Sequence, residues 1–373
     1  MNLTHRERFN RIFSGMPVDR VPFLDYMGVC NFNSCLARWK TEGLDSDAGW
    51  DDIVRMLGFD YRRGAYMDVN LLIYPEYEVE FVKREGNKTF TRNKWGGLEI
   101  QQDGSELMPL TLEGAVKDRY SWDMVKERLQ GNITARFPSD FDKICGEARK
   151  SGLPVYAGDL PAGFFGGPRE LIGFESLSYM FYDDPELLHE ILDTLCELWI
   201  SVYTEIQKRI PLDYIFTWED MCSKTGPLIS PEKFREFLLP RYKRLTSALK
   251  AAGCPHFIVD SDGDERPLVP LWLEGGVNIV FPWESQFGLD ILEVRKQYPT
   301  LGIVGALNKH TLEFSRAEMD KELEKVPHML EQGYFIPCCD HGVTNQVSWD
   351  NYQYFYEKLR EMVYKYPPQY ANE

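Results

Sequence analysis

The chain of 373 residues has no cluster of basic side chains: 42 Lys and Arg stand against 58 Asp and Glu, a formal charge of -16. Nucleic acid and anionic membranes are poor partners for such a surface. No apolar run approaches a membrane span, and the opening stretch MNLTHRERFNRIFSG is charged where a secretory leader would be apolar. A cytoplasmic location is the expectation. No CxxC pair occurs among Cys30, Cys35, Cys145, Cys196, Cys222, Cys254, Cys338 and Cys339. Free thiols packed as small core residues are therefore expected rather than a disulfide framework. No GxGxxG or GxxxxGK[ST] follows any strand-like run, which argues against a dinucleotide or P-loop fold. Internal repeats, low-complexity tracts and a heptad seam are also missing, and the pattern leaves monomer and homodimer both open.

What is present is enough apolar material for a large core, at 43% hydrophobic residues. From residue 150 onward, short β-branched or aromatic runs alternate with long amphipathic stretches: LPVYAGD (153–159), YIFTWED (214–220), HFIVDSD (256–262), NIVFPWE (278–284), LGIVGAL (301–307) and GYFIPCCD (333–340). Runs of this kind read as strands buried on both faces. Helix signals lie between them, including Asp184 before Pro185, Ser230 before Pro231 with Gly253 at the far end, and Ser315 with Glu318 ahead of Gly333. Pro240 falls inside a helical stretch and predicts a kink.

Strict strand–helix alternation predicts parallel strands joined by right-handed crossovers. The expectation is one domain over 1–373, an α/β (β/α)8 TIM barrel with an N-terminal helix within 1–20. VPFLDY (21–26) would supply a seventh strand, and one more between about 58 and 73 the eighth. The segment 77–102 alternates apolar and polar residues around Glu85-Gly86-Asn87 and predicts an antiparallel hairpin inserted early in the barrel.

A parallel barrel delivers all its strand ends to one rim, where such enzymes place their chemistry. The strand ends here carry Asp25, Asp159, Glu219 with Asp220, Asp260 with Asp262, Glu284, Asn308, and finally Cys339, Asp340 and His341. Asp260 and Asp262 share a face if the strand persists to that point. Like charges so close call for a cation, a shared proton or hydrogen-bond donors. Each acid taken singly also reads as a helix cap or a rim salt bridge, and Asp262-Gly263-Asp264 as a turn; their recurrence at nearly every strand end points to a functional rim. Cys339 reads equally as a core thiol or as a functional one beside His341. His256 opens its strand and reads as a core or bottom-face histidine. Trp218 and Trp283 are candidate pocket walls or core residues. Arg62 and Arg63 form the one basic pair near the first strand and read as surface charge.

Three stretches, RERFNRIFSGMPVDRVPF (6–23), PLISPEKFREFLLPRYKRL (227–245) and GYFIPCCDHGVTNQVSWDNYQYF (333–355), resemble the uroporphyrinogen decarboxylase superfamily, and the likeness runs over essentially the whole chain. The resemblance implies a (β/α)8 barrel and one of two activities: decarboxylation of porphyrinogens, or transfer of a methyl group from a corrinoid protein to a thiol such as coenzyme M. The decarboxylase branch holds its polycarboxylate substrate with an Arg-Gln-Ala-Gly-Arg motif. The matching stretch here, VPFLDYMGVCNF (21–32), has no arginine and carries Asp25. The methyltransferase branch binds zinc through a His-x-Cys pair and a later Cys, and these positions fall on Asp260, Asp262 and Cys339. Two carboxylates and a thiolate would admit zinc or another divalent metal.

The resemblance therefore favours a methyltransferase-like enzyme acting on a small-molecule substrate or a corrinoid partner protein. On that reading Asp260, Asp262 and Cys339 are candidate metal ligands, and Glu219, Asp220 and His341 candidates for proton transfer. Asp25, Asp159, Trp218, Trp283 and Glu284 are candidates for substrate contact. A metal-free decarboxylase-type lyase and a non-catalytic receptor for a cationic or methylated-amine ligand are the alternatives.

Overall fold

A computed structural model describes residues 3–28, 32–61, 63–105, 108–285 and 288–370. Arg62 and Cys30 lie outside the described residues. The strands, in chain order, are β1 (Ala65–Tyr66), β2 (Glu80–Glu85), β3 (Lys88–Arg92), β4 (Leu98–Gln102), β5 (Leu110–Glu113), β6 (Val155–Gly158), β7 (Tyr214–Trp218), β8 (Cys222–Ser223), β9 (Gly226–Pro227), β10 (His256–Asp260), β11 (Ile279–Phe281), β12 (Gly302–Leu307) and β13 (Phe335–Cys339). Seven of them form one parallel sheet in the order β1-β6-β7-β10-β11-β12-β13. Neighbours in the sheet are neighbours in the chain, as strand–helix alternation requires. The result is a curled, TIM-like α/β fold.

The strand expected between about 58 and 73 is β1, but the one expected at 21–26 does not form. Residues 21–28 run between the two sheet edges, with Phe23 O accepting from Asp60 N just before β1 and Gly28 O accepting from Val343 N just after β13. A ladder does not form because Pro22 has no N–H, and the N–H of Phe23 is taken at 2.9 Å by the Asp60 carboxylate. The predicted hairpin is the start of something larger: β2, β3, β4 and β5 make a four-stranded antiparallel sheet in sequence order. Its first turn is the expected one, with Glu85 paired to Lys88 across Gly86-Asn87.

Stacked aromatic rings fill the curl. Tyr156 and Tyr214 lie parallel at 4.7 Å, and Tyr26 meets Phe281 at 4.8 Å. The N-terminal helix (His5–Phe13) closes the end where the strands begin, its Phe9 packing on Tyr214 and His256. His256 is thus a core histidine, and burial depresses its pKa to about 4. Across residues 231–251, the turn Phe234–Leu238 just before Pro240 is wound as a π-helix. That wider turn accommodates the hydrogen bond Pro240 cannot make.

Candidate active site

The C-terminal strand ends are sharply bent. Asp159 (φ 71°), Asp220 (φ 43°), Trp283 (φ 24°) and Ala306 (φ 68°) adopt the left-handed backbone conformation at the ends of β6, β7, β11 and β12. Non-glycine residues pay roughly 1–2 kcal/mol for this, and such residues gather at functional sites. Close packing holds the bends. A Cβ on Gly163 would lie 2.0 Å from the carbonyl oxygen of Trp218, so the loop after β6 sits directly on the end of β7.

Glu219 is what pins that loop. Its two carboxylate oxygens accept from the N–H groups of Phe164 (2.7 Å), Phe165 (2.6 Å) and Gly166 (3.1 Å), and from the hydroxyl of Tyr242. The side chain is fully enclosed. With its acceptor sites committed and its side chain enclosed, Glu219 anchors the loop, an arrangement that argues against the proton-transfer role expected for it.

Other expected residues are also drawn out of the opening. Asp25 is buried and accepts from Gly28 N (3.1 Å) and Tyr352 Oη (2.5 Å) on the C-terminal helix (Trp349–Lys365). Trp283 has no exposed surface. Glu284 is almost enclosed and accepts from Gly263 N at 2.6 Å, bracing the turn after β10. Burial argues against the substrate contact expected of Asp25 and Trp283, and Glu284 supports the rim through its bond to Gly263.

Asp159, Asp220, Asp262 and His341 keep open side chains around the mouth, and two of them meet a cation not foreseen there. Arg63 reaches Asp159 at 2.7 Å and lies over the rings of Tyr26 and Phe216. Its expected place as surface charge is corrected. Arg169 reaches Asp220 at 3.0 Å and lies 4.4 Å above the ring of Trp218. His341 Nε2 stands 3.7 Å from Asp262 Oδ2, and Lys309 caps the Gly342 carbonyl at 3.3 Å beside it. The mouth is a ring of mixed charge rather than an acidic one. Asp264 takes no part in this, being paired with Arg266 of its own turn.

Burial sets the protonation of this ring. Burial first, then Asp262, pushes Asp260 well above the usual carboxylate range, with Asp159 and Asp220 adding and Arg63 opposing. Burial and Asp220 raise Asp262 to about 6. Burial raises Asp340 to about 7, against hydrogen bonds from the N–H groups of Lys309 and Ser285. Burial and then Lys309 lower His341. Behind them lies Glu265, unforeseen in sequence, fully buried with no hydrogen-bond partner on either carboxylate oxygen among the described residues. Burial, then Asp260 and Asp262, hold it strongly toward the neutral acid. Asp262, raised toward neutrality, beside a neutral imidazole on His341 suits the mouth to moving protons at pH 6–8.

The metal expectation finds no matching geometry. Cys339 is enclosed, with Asp25, Tyr356 and Asp340 as its electrostatic neighbours, and burial raises its thiol far from the thiolate form a metal needs. Among the described residues, no three His, Cys, Asp or Glu side chains converge as metal ligands would. Asp260 and Asp262 come together; Cys339 does not join them.

The described helices include none long and apolar enough to cross a membrane. Known proteins place the chain as follows. A methylated-thiol–coenzyme M methyltransferase of Methanosarcina mazei is 29% identical over 108 residues, a stretch covering 29% of this chain and only 28% of that protein. A solved structure of a methyltransferase from Methanosarcina mazei superimposes with a TM-score of 0.56 at 14% identity, covering 96% of this chain and all of that one, which shows a shared fold. The model of the uroporphyrinogen decarboxylase (URO-D) family matches residues 162–362, more than half of the chain, including Arg169, Asp220, Asp262 and His341 of the mouth. The chain belongs to the uroporphyrinogen decarboxylase family.

Proposed function

We propose that this chain is a methyltransferase within the URO-D family, moving a methyl group from a small methylated compound or a methyl-corrinoid partner protein to an acceptor at the mouth. The observation that carries the proposal is the Asp262–His341 pair, 3.7 Å apart at the open end of the sheet. An acceptor thiol or hydroxyl must lose its proton as it takes the methyl group. His341, kept neutral by burial and Lys309, is the base, and Asp262, 3.7 Å away, is placed to stabilise the imidazolium that forms. The methyltransferase name of the Methanosarcina relative supports the reaction class. No step is routed through a metal, because Cys339 stands apart from the two aspartates.

Methyl transfer from free methylcobalamin to a thiol, followed by the loss of methylcobalamin absorbance, tests this directly. Turnover that falls about a hundredfold in His341→Gln supports the assignment. A fully active His341→Gln variant, or no turnover with methylcobalamin and a panel of thiols and phenols, overturns it.

The two guanidiniums of Arg63 and Arg169 at the mouth favour a second reading, a lyase acting on a carboxylate substrate. Consumption of a porphyrinogen by chelator-treated protein would bring that reading to the front.

A further inference from the structure

We propose that a second site, a cavity between the four-stranded sheet and the ends of β1 and β6, binds a methylated ammonium group. The cavity holds about 450 Å³ and is walled by the rings of Tyr66, Tyr74, Trp95 and Phe137. That volume suits a small organic ligand. Leu160 and Pro161 line it too, directly after the mouth residue Asp159. Tyr66 stands between cavity and mouth, its hydroxyl donating to Gly158 O at 3.1 Å with the carboxylates of Asp68 and Asp159 both acting on it.

The sign of the ligand follows from which charges are already committed. Arg136 lines the cavity, but its two terminal nitrogens donate to Asn70 Oδ1 and to the carbonyls of Leu72, Arg128 and Leu129 at 2.6–3.0 Å. Its remaining Nε–H is sealed off. Lys94 is 3.2 Å from Glu76 and 5.4 Å from the centre of the Trp95 ring. Asp68 has no ion-pair or hydrogen-bond partner among the described residues. The uncommitted charge is therefore negative, and the uncommitted surface is aromatic.

Lys94 also shows how an ammonium is held here, between a carboxylate and an indole face. A methylated ammonium is better matched to such a place than a primary one, because it sheds water more easily and keeps its attraction to ring faces. The site deepens the methyl-transfer reading by naming a substrate class, a methylated amine delivered beside Asp159. Its test needs no turnover, so either can fail alone.

Calorimetric titration of the full chain with choline, and with its neutral isostere 3,3-dimethylbutan-1-ol, decides the point. Choline is expected to bind and the alcohol to bind at least about tenfold more weakly. Asp68→Asn and Trp95→Leu are each expected to weaken choline about tenfold, with Trp95→Phe close to the parent. Asp262→Asn, which changes only the mouth, leaves choline binding as it was. Equal affinity for the alcohol, no heat at millimolar choline, or binding lost in Asp262→Asn and kept in Asp68→Asn would each overturn the proposal.

Discussion

The imidazole of His341, on the segment after β13, faces the carboxylate of Asp262, on the turn after β10, at 3.7 Å. Asp220, Glu284 and Lys309 also act on the imidazole, and Lys309 disfavours its charged form. Asp262 titrates at about 6. The active form of the pair is the carboxylate with a neutral imidazole, so kcat/KM should rise with pH through about 6 and level off above. Asp262→Asn removes the carboxylate and should lower the plateau about tenfold to a hundredfold while abolishing or shifting that inflection. A pH–rate profile of both proteins checks this, and an unchanged inflection in Asp262→Asn would assign it elsewhere.

Glu265 links the same cluster to stability. It is enclosed without a hydrogen-bond partner among the described residues, and burial raises its pKa strongly in the folded state. The folded protein therefore holds this proton more tightly than the unfolded chain. Stability from this source is complete below the unfolded pKa of about 4.3 and is lost as pH rises toward the folded value, with a limiting slope near 1.4 kcal/mol per pH unit. Glu265→Gln cannot titrate and should flatten the stability curve between pH 5 and 7. Urea unfolding at several pH values measures both slopes. Parallel curves for the two proteins would show that Glu265 is solvated or paired in solution.

Glu219 predicts a different phenotype. Removing its carboxylate strands three backbone N–H groups and the Tyr242 hydroxyl in the interior. Glu219→Ala should cost about 3–5 kcal/mol, and Tyr242→Phe about 1–2 kcal/mol with kcat nearly unchanged. Thermal denaturation beside an activity assay separates the two. A Glu219→Gln protein of full stability but no activity would restore the catalytic role that burial argues against.

Cys339 is the sharpest test of the metal question. Its thiol sits in the wall with Asp25 and Tyr356, so Cys339→Ala should cost about 1–2 kcal/mol of stability through the void it leaves. Divalent metal taken up by the purified protein, read by elemental analysis, should be the same in Cys339→Ala as in the parent. Metal lost in that variant would mean that the thiol turns toward Asp260 and Asp262 when a metal binds.

These residues also show what the chain discloses before it folds. The parallel strands after residue 150 were legible because each is a short apolar run between amphipathic helices, and the acids were legible because they end those runs. The direction of each side chain was not. Whether Asp25, Cys339 or Trp283 faces the mouth or the wall depends on strand register and on bends such as the positive φ of Trp283, which no local pattern encodes. Partners remote in sequence were equally hidden: Arg169 lies in an ordinary helical stretch, and Glu265 extends an acidic turn by one residue. The segment 21–26 has the apolar pattern of a strand but carries Pro22, which lacks the N–H a ladder needs.

Arg63 joins several of these threads. It reaches Asp159 at 2.7 Å, with both side chains partly shielded from water, and it opposes the rise in the pKa of Asp260. Removing the guanidinium leaves Asp159 unpaired at the mouth and lets Asp260 rise further. A double-mutant cycle of Arg63→Gln and Asp159→Asn should give a coupling of about 1–2 kcal/mol, above the usual worth of an exposed pair because solvent screens this one less. The two single variants should differ in kind. Arg63→Gln moves the titration of Asp260 upward, whereas Asp159→Asn, which removes a like charge, moves it downward. Coupling near zero in urea unfolding, or shifts of the same sign in the carboxyl titration of Asp260 followed by NMR, would show that Arg63 and Asp159 act on the mouth independently.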